Sequence, residues 1–129
     1  MAGKILVVDD EYAIRVLLKS FLEGNDFEVR LAADGDAAFR AFQEFQPRLI
    51  MTDIMMPKEN GISLVARIRE HDPSVKVIYL SAWLDEPETE RKLRQALATH
   101  PGDKLILKPF NLDPLLHTIR AMMSPGEET

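Results

Sequence analysis

Five short apolar runs alternate along the chain with five longer segments in which apolar residues recur at helical spacing. The runs cover residues 5–8, 27–31, 49–51, 75–80 and 105–107. The first, third and fifth runs are continuously apolar, as in strands buried on both faces of a parallel sheet. The second alternates apolar and polar residues, which suits a strand at a sheet edge. Short connections between alternating strands and helices predict a parallel sheet with helices on both faces.

The five helices are predicted from apolar stripes and from residues that begin or end a helix. In chain order, the stripes contain Ile14, Leu17, Leu18, Phe21 and Leu22; Ala38, Ala41, Phe42 and Phe45; Leu64, Val65 and Ile68; Leu93, Ala96 and Leu97; and Leu112, Leu115, Leu116, Ile119 and Met122. Asp34, Asn60 and Asn111 are predicted N-caps, and Gly24 is a predicted stop for the first helix. No internal repeat or second domain is visible, so one domain is expected.

Composition and charge narrow the classes of function. The 129 residues carry a net charge of -5, with a pI of about 5.2 and no basic run, so nucleic-acid binding through this chain is not expected. The absence of cysteine excludes disulfides, thiol chemistry and cysteine metal sites. No apolar run suits a signal peptide or is long enough to cross a bilayer, so a cytoplasmic location without membrane binding is expected.

Polar side chains follow four of the five predicted strands. Asp9 and Asp10 come after the first, Asp53 after the third, Ser81 after the fourth and Lys108 after the fifth. Open α/β sheets bind ligands at the carboxyl ends of their strands. Three clustered carboxylates repel one another unless a cation lies among them, and an all-oxygen site with few protein ligands suits Mg²⁺. The sequence therefore predicts a magnesium site at this edge.

The same residues predict phosphoryl transfer onto a carboxylate. Asp53, between a metal and a lysine ammonium, can act as a nucleophile toward phosphorus. The Ser81 hydroxyl can donate to a phosphoryl oxygen, and the metal and Lys108 would stabilise charge on the transferring oxygens. The predicted product is an acyl phosphate on Asp53.

With their neighbours, these residues resemble the two-component response regulator receiver domain, of the chemotaxis-regulator type, over essentially the whole chain. The matching segments are Val8-Asp9-Asp10, Asp53-Ile54-Met55-Met56-Pro57 with Asn60-Gly61, Leu80-Ser81-Ala82 and Lys108-Pro109-Phe110. The resemblance implies a single doubly wound (βα)5 flavodoxin-like α/β domain with a five-stranded parallel sheet. Residues 1–123 would form this receiver domain, and residues 124–129 a flexible acidic tail or the start of a linker. A cis peptide bond before Pro109 is also implied.

The resemblance implies a role for each acidic residue. Asp53 would accept the phosphoryl group from a histidine kinase or a phosphotransfer protein. Asp10 and Asp53 would bind Mg²⁺ through their side chains, and Met55 through its backbone carbonyl. Asp9 would act through a metal-bound water.

The resemblance further implies which residues contact the phosphoryl group and how phosphorylation changes partner binding. Ser81 and Lys108 would contact it, and the face built from the fourth helix, fifth strand and fifth helix would change its binding to partners. The partner would be an unknown downstream protein or a fused output domain, and a phosphorylation-dependent dimer is compatible with the family. The domain would be regulatory rather than an enzyme, catalysing only its own phosphorylation and slow dephosphorylation.

Three positions depart from the family pattern. Leu105 occupies the place of an aromatic residue that rotates on activation, so that rotation is not available here. Glu59 replaces a common apolar residue, and Trp83 follows the predicted fourth strand. We hypothesise that Trp83 and Met55 exclude water from the acyl phosphate and slow its hydrolysis; an unchanged lifetime in Trp83→Glu would reject this.

Three alternative functions compete with this interpretation. A Mg²⁺-dependent phosphohydrolase of the haloacid dehalogenase type also uses an aspartate nucleophile, but it needs an acid aspartate where this chain has Met55. A flavodoxin-like cofactor binder needs a phosphate-cradling loop after the first strand, where Asp9, Asp10 and Glu11 would repel FMN phosphate. A degenerate receiver that is never phosphorylated is disfavoured because the acidic, hydroxyl and lysine positions are all retained.

Overall fold

The computed structural model describes residues 3–82 and 85–124, in which five strands alternate with five helices. The strands are β1 Gly3–Val8, β2 Phe27–Ala32, β3 Leu49–Asp53, β4 Lys76–Ser81 and β5 Lys104–Leu107. The helices are α1 Tyr12–Glu23, α2 Gly35–Phe45, α3 Gly61–Arg69, α4 Pro87–Thr99 and α5 Leu112–Met123. The alternation predicted from the apolar pattern is confirmed.

All strand pairs are parallel, and the strand order is β2-β1-β3-β4-β5. Strand β2 lies at an edge, as its alternating pattern predicted. The register pairs Val8 of β1 with Thr52 of β3, and Asp53 with Leu80 of β4. The carboxyl ends of β1, β3, β4 and β5 therefore lie side by side, in the doubly wound (βα)5 flavodoxin-like fold.

Each face of the sheet has its own apolar core, because successive side chains of a strand point to opposite faces. Leu6 and Val8 pack with α2, α3 and α4 on one face. Ile5 and Val7 pack with α1 and α5 on the other face. All four side chains are fully buried, and each such burial contributes about 1.5–3 kcal/mol. These two cores fix the positions of the strand ends.

The predicted helix caps differ in how they work. Asp34 accepts a hydrogen bond from the amide of Ala37, and Asn60 accepts one from the amide of Ser63, each at 2.8 Å. Asn111 occupies the N-cap position of α5, but its side chain makes no capping bond. Instead, α5 carries the acidic side chain of Asp113 in its first turn, where the positive end of the helix dipole favours it.

Helix α1 corrects one prediction and confirms another. Leu18 and Leu22 are fully buried, but Leu17 is 44% exposed, because it lies about a quarter turn away from the face that meets the sheet. Gly24 ends the helix, as predicted, and it does so with a right-handed backbone (φ -65°). The left-handed conformation falls on Asp26 (φ 72°).

Two groups of predictions remain untested by this fold. Trp83 and residues 125–129 lie outside the described residues, so the predictions about them stay predictions, as does the division between domain and tail. Among the helices of the described ranges, none is both long and apolar enough to cross a membrane.

Candidate functional site

Three carboxylates meet at the carboxyl end of the sheet. Asp9 and Asp10 directly follow β1, and Asp53 ends the neighbouring strand β3. One carboxylate oxygen from each lies within 4.8 Å of the other two. Asp9 and Asp53 are buried, whereas Asp10 is exposed to solvent. The structure thus brings together the three acids that the sequence analysis grouped, and it leaves one side of the cluster open.

The Lys108 ammonium reaches this cluster from the end of β5. Its Nζ atom lies 2.8 Å from Oδ2 of Asp9 and 3.4 Å from Oδ2 of Asp53. Burial acts to lower the pKa of Lys108, but the neighbouring carboxylates outweigh burial and hold the pKa above its ordinary value. Lys108 therefore stays a cation at any physiological pH.

Burial and a neighbouring negative charge both raise the pKa of Asp53. Burial contributes most and the charge of Asp9 adds to it, and together they raise the pKa of Asp53 from 3.8 to about 6. The nearby Lys108 ammonium opposes this rise, but it is shared, and its contact with Asp9 is the shorter one. The negative charge on Asp53 is therefore only partly compensated by groups of the protein.

Ser81 has a buried hydroxyl with unused bonding capacity. Its Oγ atom has no hydrogen-bond partner within the part of the chain that the structure describes. Ser81 ends β4, one residue beyond Leu80, which pairs with Asp53. Its carbonyl accepts a hydrogen bond of 2.7 Å from the amide of Lys108, and the peptide bond between Lys108 and Pro109 is cis, as expected. Because a buried hydroxyl without a partner is unfavourable, this atom is ready to bond a ligand.

Two residues at the site were missed by the sequence analysis. The Glu11 carboxylate lies 3.1 Å from Nζ of Lys108, and the Glu11 amide donates to Oδ1 of Asp9 at 2.9 Å. Arg15 donates to the backbone carbonyl of Asp9 at 2.8 Å. Glu11 could have been suspected, since it directly continues the acidic pair. Arg15 carried no comparable signal, because only the first turn of α1 brings it back to β1.

The donor set suits a hard divalent cation. The three clustered groups offer only oxygen, and the single positive charge of Lys108 lies among the carboxylates of Asp9, Glu11 and Asp53. The exposed Asp10 leaves room for water, which Mg²⁺ usually retains in proteins. Met55, two residues beyond Asp53, lies in the loop between β3 and α3. The residues present therefore fit the predicted magnesium site.

Asp53→Asn is expected to stabilise the metal-free protein at pH 7. Because the pKa of Asp53 is higher in the folded state, the contribution of this group to the free energy of unfolding is greatest below about pH 4 and is lost as pH rises through about 6. One pKa unit corresponds to about 1.4 kcal/mol, so the gain, allowing for solvent at the sheet edge, is roughly 1–3 kcal/mol. Denaturant unfolding in EDTA checks this. A less stable variant, or a gain that persists undiminished at pH 4, would contradict it.

Comparison with known proteins places this site in a family. The model of the response regulator receiver domain matches residues 5–120. The DNA-binding response regulator MtrA of Mycolicibacterium smegmatis is 31% identical over 128 residues, which are 99% of this chain and 54% of that protein. The chain thus spans about half the length of such curated relatives.

Solved structures agree with the sequence relatives. A CheY-like receiver domain protein from Methanospirillum hungatei superposes with a TM-score of 0.84 at 27% identity, covering 97% of this chain and 96% of that one. The response regulator TrrA of Thermotoga maritima, solved in complex with Mg²⁺-BeF, gives 0.76 at 32% identity, covering 92% and 97%. These matches give no support to the phosphohydrolase alternative. The chain therefore belongs to the response regulator receiver domain family, a family of signalling domains rather than dedicated enzymes.

Proposed function

We propose that this domain is a phosphorylation-activated switch in which Asp53 accepts a phosphoryl group from a histidine kinase or phosphotransfer protein in the cytoplasm. The observation that carries the proposal is the surroundings of Asp53. Its carboxylate stands at a strand end, 3.4 Å from the Lys108 ammonium, and forms one cluster with Asp9 and Asp10. A nucleophile toward phosphorus needs such positive charge close by.

Magnesium is the proposed cofactor. Asp10 and Asp53 would hold it by their side chains, Met55 by its backbone carbonyl and Asp9 through a water. When bound, the ion supplies positive charge that offsets the repulsion between the acceptor carboxylate and the phosphoryl oxygens. The relative TrrA was solved in complex with Mg²⁺-BeF, which supports a magnesium site in this chain as well.

The residues of the chain account for the rest of the transfer. A carboxylate oxygen of Asp53 donates an electron pair to phosphorus, and the bond from phosphorus to the donor's leaving group breaks. Lys108 keeps its proton and faces the phosphoryl oxygens, whose negative charge it stabilises. The Ser81 hydroxyl donates to a phosphoryl oxygen, which would satisfy a buried group that otherwise lacks a partner.

Phosphorylation adds charge and acceptor oxygens beside α4, β5 and α5, and we propose that this face then changes its partner binding. The partner would be a downstream protein or a fused output domain; the relative MtrA is a DNA-binding response regulator. Leu105 packs partly buried against the core on the α4 side of the sheet, beside its register partner Tyr79. The same proposal has two further parts. The change in partner binding occurs without a rotating aromatic residue, and phosphorylation leads to a dimer.

Incubation with Mg²⁺ and acetyl phosphate is expected to add the mass of one phosphoryl group to the intact protein. Asp53→Asn should show no gain, and Ser81→Ala should gain it more slowly, because it lacks the donor to the phosphoryl oxygen. Time-resolved intact mass spectrometry measures both, with EDTA as the control. Equal phosphorylation of wild type and Asp53→Asn would overturn the proposal.

A further inference from the structure

The loop between β3 and α3 contains a strained turn. The amide of Glu59 donates to the carbonyl of Pro57 at 2.9 Å, and Lys58 between them has a φ of 74°. This three-residue turn with positive φ at a non-glycine residue is rare and unfavourable. Such a conformation persists only where the surrounding structure holds it. The contacts of the neighbouring side chain therefore matter.

Both oxygens of the Glu59 carboxylate are bound by α3. Arg67 contacts Oε1 at 2.7 Å, and the Ser63 hydroxyl donates to Oε2 at 3.1 Å. The side chain of Glu59 is 21% exposed, so it is partly sheltered from solvent. The end of the loop is thus tied to the first two turns of the helix that follows it.

Arg67 extends the connection to α2. Its guanidinium also donates to the carbonyl of Gly35 at 3.3 Å and lies 4.5 Å from the ring centre of Phe39. A Cβ atom at Gly35 would lie 2.3 Å from Oε1 of Glu59, so a larger residue there would displace the Glu59 carboxylate from its present position. The Glu59–Arg67 clamp, defined by these two residues, therefore joins the loop to α2 and α3.

The position of the clamp relative to the acceptor suggests its role. Glu59 lies in the same loop as Met55, whose carbonyl is a proposed magnesium ligand, and the loop begins directly after Asp53. A partly exposed ion pair contributes little to global stability, so the bonds of α3 to the Glu59 carboxylate and of α2 to Arg67 indicate control of local geometry instead. We propose that the Glu59–Arg67 clamp is a positioning device that holds residues 54–60 in the conformation that binds magnesium. This proposal rests on the proposed function, in which magnesium is the cofactor.

Two measurements on the full chain test this proposal. The amide of Gly61 donates to the carbonyl of Ile54 at 2.8 Å, across the same loop. In metal-free protein, Glu59→Ala should exchange the amide hydrogens of residues 59 and 61 about tenfold faster, because the turn and the loop lose their support. Calorimetric titration with Mg²⁺ should show affinity weakened roughly tenfold, as is typical when an outer support of a metal site is removed. Glu59→Gln, which keeps an acceptor for Arg67, should lose less in both measurements.

Charge and folding effects are separated by two further variants. Arg67→Met removes a positive charge near the site, so electrostatics alone would strengthen Mg²⁺ binding, whereas the clamp predicts weaker binding. Glu44→Ala is the matched control, since Glu44 pairs with Arg30 at 3.2 Å and Arg30 lies 5.0 Å from the ring centre of Phe45. This control should leave exchange and affinity unchanged.

The outcomes separate the clamp from the proposed function, because neither measurement needs a phosphoryl group. The clamp is overturned if Glu59→Ala matches Glu44→Ala in either exchange or affinity, or if Arg67→Met binds Mg²⁺ more tightly than wild type. If the clamp variants behave as expected but the wild type takes up no phosphoryl group, the proposed function fails and the clamp stands.

Discussion

Asp103→Ala is expected to lower the free energy of unfolding by about 3–5 kcal/mol, because it leaves a buried guanidinium without its partner. The Asp103 carboxylate receives two hydrogen bonds of 2.7 Å from Arg69, and the two side chains are only 4% and 11% exposed. Arg69 also donates to the carbonyl of Val75 at 3.0 Å. This pair joins the end of α3 to the segments that precede β4 and β5.

The measurement is denaturant unfolding followed by circular dichroism. Glu23→Ala serves as the control, since it removes an ion pair with Lys19 that is about half exposed, and it should cost about 0–1 kcal/mol. The double replacement Arg69→Met with Asp103→Leu should cost less than Asp103→Ala, because no buried charge is left unpaired. A cost for Asp103→Ala as small as that of Glu23→Ala would contradict the expectation.

Gly61→Ala is expected to slow phosphorylation of Asp53 roughly 10- to 100-fold, since small misplacements of reacting groups carry losses of this size. A Cβ atom at Gly61 would lie 2.2 Å from the backbone carbonyl oxygen of Asp53 and 3.1 Å from Oγ1 of Thr52. The nearest obstacle is the backbone of the acceptor itself, so relief of the clash must move either Asp53 or the start of α3. Overpacking of this kind also destabilises by about 1–3 kcal/mol.

Gly102→Ala is the matched control for this substitution. A Cβ atom at Gly102 would meet nothing within 4 Å, so phosphorylation should proceed at the wild-type rate. The two variants are compared by the initial rate of mass gain with acetyl phosphate and Mg²⁺, at a temperature where both are folded. Equal rates for Gly61→Ala and wild type would contradict the expectation, because Asp53 would then react normally in spite of the displaced backbone.

The periodicity of apolar residues predicted the fold because the apolar pattern is strong in the strands of the sheet. Buried strands such as β3 give continuous apolar runs, and the alternating run of β2 indicated its place at the edge. Leu17 shows the limit of the method, since helical spacing cannot distinguish a buried position from its neighbour around the helix. The Arg69–Asp103 pair could not be predicted either, because its partners lie 34 residues apart and meet only once the sheet has formed.

The sequence could predict those reactive side chains of the candidate site that lie at strand ends. Parallel strands present their carboxyl ends at one edge, so the sequence alone predicts that Asp9, Asp53 and Lys108 lie together. The Glu59–Arg67 clamp depends instead on side chains of a loop and a helix, whose directions the sequence pattern does not give. From the sequence, Glu59 is a departure from the family pattern without an evident role.

Trapping the product shows which carboxylate carries the phosphoryl group, which we propose is Asp53. Protein treated with Mg²⁺ and acetyl phosphate is reduced with borohydride, which converts an aspartyl phosphate into homoserine, and the peptides are sequenced by mass spectrometry. We expect homoserine at position 53 and unchanged aspartate at positions 9 and 10. Homoserine at either of those positions, or a stable phosphate on Ser81 with Asp53 intact, would contradict this expectation.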